Sequence, residues 1–548
     1  MSLSRSRPAG AADDLAPPPH GAAPRWAWVH QASRASALPL VPLLVVLATW
    51  HVAVTVLAGK PWHPDEHFQV LEFAWARAGL APLSDLPWEY AARIRPTLQP
   101  TMALVVLRGL RAVGIESPFT WVVLLRLGTL LVAFGALLRV AVVTAPMLPT
   151  VGARRVAWLA ALGAWFAPML LSRFTSENVA GALLALAAAE TVAGTAAAAN
   201  GRWRLLAGVC AGAAIALRYQ MAFPVMALGG WLLWRGEWGQ ARRLAAGAVV
   251  MVLLSLACDW WFYGAPTVTP WHYFRVNIVE GVASTFGTSP WWAYVLWAPL
   301  WTAPPVGLLL VAAVLAGLAA APRSAWSWTV LGYLLPHSLL AHKELRFLFP
   351  LLYLVPPVAA AGWAALPQWS RSRRLVAIAV AQNLVLGALL LTPSIHRGKE
   401  FDWHFYRLLW REAERTPSGP LYVVVAGGDP YRVWDWAAQV YRHPRVVGVP
   451  LAPGTPLPAP VAQAVAAGRV FVVATSEVPP CVPGVSPLEP IYIAEAGYRT
   501  MFRAAGAEDA PLLRFLERVD RWEGSAWKRR VYRATTATAT WCGPGRRP

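Results

Sequence analysis

Apolar runs separated by short polar segments occupy residues 37–393 of the chain. The first run, 37–58, is long enough to cross a bilayer, which takes about 20 apolar residues. Others follow at about 119–145, 156–171, 179–199, 205–221, 222–234, 242–258, 291–318, 325–341, 346–366 and 374–393. The pair 205–221 and 222–234 is interrupted by Pro224. Residues 99–113 are shorter, carry Arg108 and Arg111, and predict a re-entrant or surface helix. The pattern as a whole predicts an all-α polytopic membrane protein with roughly eleven transmembrane helices.

The arginine-bearing loops sort to one side: Arg154-Arg155, Arg202 with Arg204, Arg235 with Arg242-Arg243, Arg323, and Arg371 with Arg373-Arg374. The other side receives 59–118, 172–178, 259–290, 342–345 and 394–548, the arrangement that the positive-inside rule expects. Residues 1–37 read as a disordered basic tail on the cytoplasmic side. The run after it is too long for a signal-peptide core and predicts a retained anchor. A transmembrane domain then spans 38–393, with outer loops 59–118 and 259–290. Loop 59–98, rich in Trp62, Trp75, Trp88 and Tyr90, is expected to lie along the interface, with a helix over 66–78. Residues 394–548 predict a small extracytoplasmic α/β domain, with strands at 421–426 and 470–474 and a turn at 427–430.

Composition sharpens this picture. The chain is 57% hydrophobic and 14% charged, against roughly 25% charged in soluble chains. Its net charge of +20 follows from the loop arginines, so it does not call for nucleic acid as a partner. Only four basic residues are lysines (Lys60, Lys343, Lys399, Lys528), a bias of GC-rich genomes. That hint points to a bacterial inner membrane with the outer loops facing outside; an endoplasmic-reticulum membrane with luminal loops is the alternative. Cys210 and Cys258 lie in apolar runs, while Cys481 and Cys542 fall in the outer segment and are candidates for a disulfide.

The side without basic loops collects the unusual polar residues. His63-Pro64-Asp65-Glu66-His67 follows the first run, and 172–178 contains Arg173 and Glu177. Loop 259–290 opens on Asp259 and holds Tyr273 and Asn277. His342-Lys343-Glu344-Leu345-Arg346-Phe347 is wedged between two runs. Ionisable groups at membrane depth cost roughly 2.5–3.5 kcal/mol or more and are functional candidates by default. Lys343 and Arg346 suit phosphate oxygens, as a point charge and a planar fork, with His342 as a further donor. Snorkelling at a helix end is the plainer explanation, but these charges lie on the side that otherwise lacks them. Asp65 is the expected general base and Glu66 its neighbour, since glycosyl transfer needs a carboxylate to take the acceptor proton and cations to stabilise a leaving phosphate. Two carboxylates so close would also raise one pKa. A metal site of His63, Asp65 and His67 is the rival reading, but it lacks a zinc spacing such as His-Glu-x-x-His.

Read in order, a further set of stretches carries a resemblance. These are Pro64-Asp65-Glu66, Trp88-Glu89-Tyr90, Ile94-Arg95-Pro96, Asp259-x-x-Phe262-Tyr263-Gly264 and Thr269-Pro270, then Asn277, Phe286-Gly287, Ser289-Pro290-Trp291 and His342-Lys343-Glu344-x-Arg346-Phe347. Together they resemble glycosyltransferase family 22, the GT-C-fold mannosyltransferases that use dolichyl-phosphate mannose, and most of all its GPI-anchor branch. The resemblance implies a catalytic Asp65, no metal, nucleotide or other cofactor, a polyprenyl- or dolichyl-phosphate mannose donor, and inversion to an α-mannoside on a glycolipid or glycan acceptor. His63, His67, Glu89, Arg95, Arg173, Asp259, Tyr263 and Asn277 are then candidates for binding substrate. A transporter or flippase of a lipid-linked or anionic substrate is the alternative; it predicts internal repeats and broken helices with charges at the midplane, which the sequence does not display. A non-catalytic anchor for the C-terminal domain would not need an acidic and a cationic cluster on one side.

Overall fold

The structure, a computed structural model, describes residues 40–534 apart from 60, 62, 149, 196–200, 369–371, 393–402, 417–418, 427–428, 430, 434–435, 451–456, 466, 475–487 and 496–527. The 1–37 tail, Cys481 and Cys542 lie outside the described residues.

The apolar runs become helices. In chain order these are α1 (Leu40–Leu57), α2 (Glu72–Arg77), α3 (Leu98–Ala112), α4 (Pro118–Thr144), α5 (Val151–Leu162), α6 (Ser176–Gly194), α7 (Gly201–Leu217) and α8 (Ala222–Trp234). Then follow α9 (Trp238–Tyr263), α10 (Thr269–Phe274), α11 (Ala293–Trp301), α12 (Val306–Ala320), α13 (Ala325–Leu339), α14 (Leu351–Ala365), α15 (Arg373–Leu389) and α16 (Trp403–Arg415). Two predicted runs are broken. The run 156–171 divides into α5 and a short helix, Ala167–Leu171, that starts on a proline turn. The run 291–318 divides at Pro304-Pro305, where two residues without N–H groups cannot continue the ladder of α11. By length and composition, two helical stretches, Pro118–Met147 and Trp238–Tyr263, can cross a membrane, or three if α12 and α13, bent by 119° to each other, form one span. Val41–Leu57, Leu205–Leu217 and Leu351–Ala365 are shorter apolar helices, so the described residues account for part of the roughly eleven expected spans.

Small residues let the helices close up. α7 packs along both α6 and α9, and a Cβ on Gly208 would lie 2.7 Å from the Arg243 carbonyl of α9. The Thr175 side chain accepts from the Asn178 N–H and caps α6, worth about 1 kcal/mol for such a cap. It thereby fixes where Ser176 and Glu177 enter the helix.

After α16, a five-stranded sheet has the order β4-β1-β5-β7-β6. β1 (Leu421–Ala426) pairs in parallel with β4 (Val446–Pro450) and β5 (Val470–Ala474); β7 (Lys528–Ala534) is antiparallel to β5 and to β6 (Leu488–Glu495). β2 (Arg432–Val433) and β3 (Trp436–Ala437) form a separate antiparallel ribbon. The valine-rich β1 and β5 are the two predicted strands, and their near-continuous apolar sequence suits a parallel core. This segment is not a detached unit. Its Trp403, Phe405, Tyr406, Tyr431 and Tyr441 belong to one continuous apolar core with α3, α4 and α6. The helix predicted over 66–78 does form, as a π-helical turn Glu66–Leu71 leading into α2. It is buried beneath the C-terminal segment rather than lying open along an interface.

Candidate active site

Four stretches distant in sequence meet at one end of the bundle. They are the Asp65 turn, the start of α6, the break between α7 and α8, and the 3-10 turn Leu345–Leu348. Arg346 is their centre. Its Nη1 lies 2.5 Å from Asp65 Oδ2 and 3.3 Å from Glu177 Oε1. Its Nε and Nη2 donate to the two Glu344 oxygens, at 2.5 and 3.1 Å. Arg218, in the α7–α8 break, places Nη1 2.9 Å from the same Glu177 oxygen. The cleft beside Asp65 is lined by Gln69, Arg95, Glu177, Arg218, Gln220 and Tyr273, among others. Its volume is about 30 Å³.

Electrostatics follow from these contacts. Burial alone would raise the Asp65 carboxyl, but Arg346, then His63, then Arg95 outweigh it and hold the group well below the usual carboxylate range. The raised pKa expected from two adjacent carboxylates is therefore not found for Asp65. The reason is that Glu66 turns away, to Arg126 Nε and Nη2 at 3.2 Å each and to Arg173 Nη1 at 3.9 Å. Glu344 is also held down: burial opposes ionisation, while His63 and Arg346 outweigh it. Glu89 is shifted upward, because burial exceeds the help from Arg95 and Gln69.

The other candidates divide between the cleft and its frame. His63 links Asp65 (3.3 Å) to Glu344 (3.2 Å). Arg95 lies 3.6 Å from Glu89 and 3.8 Å from Asp65. His342 sits between the Gly287 carbonyl (2.8 Å) and Glu344 (2.9 Å). Lys343 donates to the carbonyls of Ser289 and Leu340, so it ties the 286–290 loop to its own turn. Asp259 accepts from the Thr97 N–H and hydroxyl, at 2.7 Å each, and from Thr269. Tyr263 donates to the Arg95 carbonyl at 2.8 Å, and Asn277 to the Tyr273 carbonyl at 3.1 Å. These last three brace the cleft wall. His67 is fully buried behind the Asp65 turn, 2.7 Å from Glu72, and Arg173 donates to the Met169 carbonyl at 2.9 Å. Among the described residues, no group of three or more His, Cys, Asp or Glu is arranged to hold a metal ion.

Sequence reasoning passed over Arg218, Gln69 and Gln220, and named Glu177 only as part of its stretch. The signal was present for Arg218: a cation at the junction of two apolar runs is expensive unless it is used. Gln220 donates to the Tyr273 hydroxyl at 2.6 Å, which fixes that side chain at the cleft.

The helical bundle thus gathers a carboxylate–guanidinium cleft at one end. Its fold is similar to that of the crystal structure of ArnT from Cupriavidus metallidurans bound to undecaprenyl phosphate, with a TM-score of 0.51 and 14% identity over 80% of this chain and 93% of that one. The chain belongs to the Alg9-like mannosyltransferase family, whose model matches residues 41–415. It is similar to GPI mannosyltransferase 3 of Candida albicans, 25% identical over 170 residues, which are 31% of this chain and 32% of that protein. It is also similar to the Trypanosoma brucei brucei protein of the same name, 32% identical over 148 residues, 25% of this chain and 26% of the relative. With that of Yarrowia lipolytica the match is 26% over 355 residues, 63% and 66% of the two chains. The matches to the Candida and Trypanosoma proteins thus span a third or less of their length. No finding supports the transport alternative.

Proposed function

We propose that the protein is an inverting mannosyltransferase of the membrane, moving mannose from a dolichyl- or polyprenyl-phosphate donor to a hydroxyl of a glycolipid of the GPI-precursor class. The observation that carries this reading is the pair at the cleft: Asp65 kept ionised, and Arg346 2.5 Å from it. The acceptor O–H gives its proton to Asp65 as its oxygen bonds to the anomeric carbon. The bond from that carbon to the phosphate oxygen breaks on the opposite face, and its electron pair leaves with the phosphate. Arg346 receives the growing negative charge, the electrostatic help such a step needs. As the phosphate takes Arg346, the hold on Asp65 relaxes and its basicity rises toward what proton transfer requires.

An apolar groove supports a lipid-borne donor. On the other side of the Leu345–Leu348 turn runs an apolar groove of about 300 Å³, walled by Trp165, Phe166, Tyr294, Trp301, Leu345 and Phe349. The name of the relatives and the undecaprenyl phosphate of the ArnT structure agree with a lipid-phosphate donor and a glycolipid acceptor. The test is transfer of labelled mannose from dolichyl-phosphate mannose to a GPI-precursor lipid by the purified protein. Labelled lipid product supports the reading; donor consumed only by hydrolysis, or none consumed, contradicts it.

The relatives reported above are eukaryotic, so they lend no support to the bacterial placement and fit the endoplasmic-reticulum alternative, with the cleft on the luminal side. Ser84 is exposed in the stretch between the Asp65 turn and Arg95. A cysteine introduced there should resist an impermeant maleimide in sealed microsomes and react once detergent opens them. Labelling of sealed vesicles would reverse the orientation.

A further inference from the structure

We infer that the described residues between 403 and 441 are a positioning part of the active site, holding the Asp65 turn from the side opposite the cleft. The inference rests on the proposed reaction in taking Asp65 as the base. The turn has two faces. Asp65, Glu66, Gln69 and Val70 line the cleft. His67, Phe68 and Glu72 face the C-terminal segment: Tyr441 stacks on His67 with centroids 5.0 Å apart and planes 17° apart, Trp436 meets Phe68 edge-on at 5.0 Å, and the Val440 N–H donates to Glu72 at 3.0 Å. Gln439 adds a bond of 2.7 Å to Asp85 further along the same loop.

A second set of contacts fixes where the turn begins. Arg126 of α4 donates to the carbonyls of Ala58 and Gly59, at 2.6 and 2.9 Å, and to Glu66 at 3.2 Å. It therefore ties the end of α1 to the residue after Asp65. The Trp403 ring lies over that guanidinium, 5.9 Å from its carbon, and meets Phe119 edge-on at 4.9 Å. It also lies flat against Gly59, where any Cβ would overlap the ring. With Trp403 so placed, a side chain at 59 has no room unless the ring shifts. The first tryptophan of α16 thus touches the backbone before Asp65 and the cation behind it. This buried indole adds to the Tyr441, Trp436 and Val440 contacts in coupling the C-terminal segment to the base, and misplacement of a reacting group by about 1 Å can cost about 10²-fold in rate.

The experiment uses the full chain, purified and monodisperse, as Gly59→Ala, Trp403→Phe and the double variant. Gly59→Ala should lower kcat about 10²-fold with donor KM little changed, because Arg346 and the groove lie outside these contacts. Trp403→Phe, a smaller ring, should be milder alone and should restore most of the loss when combined with Gly59→Ala. Tyr441→Phe should retain the stack on His67 and near-normal kcat, whereas Tyr441→Leu should lower it. Hydrogen exchange over 63–72 gives a readout that needs no transfer assay: it should quicken in Gly59→Ala and slow again in the double variant. Normal kcat in Gly59→Ala, or a loss that Trp403→Phe leaves untouched, would overturn the inference. If the unaltered protein transfers no mannose, the proposed reaction falls, and the exchange pattern alone decides: unchanged protection across the series overturns the inference.

Discussion

Asp65→Asn is expected to lose most turnover, about 10²–10⁴-fold, the range for removal of a general base. The asparagine keeps the size and can still meet Arg346, but it has no basic oxygen. Donor binding should persist, since the phosphate is assigned to Arg346 and the tail to the apolar groove. Glu66→Gln should act differently. Glu66 is paired with Arg126 and Arg173 at the cleft wall, so its loss would loosen the turn and appear as lowered stability together with reduced kcat. Single-turnover kinetics with donor in excess separate the two. Near-normal chemistry in Asp65→Asn, with an inactive Glu66→Gln, would exchange the roles.

The second large effect is at Arg346. Removing one partner of a buried ion pair typically costs about 3–5 kcal/mol, and Arg346→Ala would leave Asp65, Glu177 and Glu344 facing one another without their shared cation. Arg346→Lys keeps the charge but loses the fork, so it should fold better and still bind donor poorly. The pH dependence gives a sharper sign. In the native protein Asp65 is depressed, so its pairing is present above the usual carboxylate pKa of about 4 and is lost only as pH falls through the lower folded value. The acid limb of kcat/KM should lie below the usual carboxylate range. In Arg346→Gln, burial acts with its largest opponent gone, and the limb should move to higher pH. An acid limb unmoved between the two proteins would mean that a different group is being titrated.

Much of this frame was readable from the sequence, for local reasons. Apolar runs set the helices, and the valines of β1 and β5 announce strands. The cluster at 63–67 and the cluster at 342–347 were each visible as charges on the wrong side of a basic-loop pattern, and the structure brings them together at Asp65 and Arg346. What local pattern cannot convey is pairing at long range. Arg218 carries no local sign of its role until α6 and the α7–α8 break bring it, with Arg346, to one Glu177 oxygen. The direction of the Glu66 side chain depends on Arg126, 60 residues away. The C-terminal segment was legible as strands but not as a wall behind the Asp65 turn, because its contacts are ring stacks between residues 403–441 and loops far earlier in the chain.

The most direct test follows both halves of the donor at once. Purified protein is given dolichyl-phosphate mannose, labelled in the sugar, with a GPI-precursor acceptor, and the labelled glycolipid and the freed dolichyl phosphate are counted together. One dolichyl phosphate released for each α-linked mannose gained, with both fluxes lost in Asp65→Asn, is the predicted result. Dolichyl phosphate released without mannose on the acceptor, a β-linked product, or equal fluxes in Asp65→Asn would contradict it.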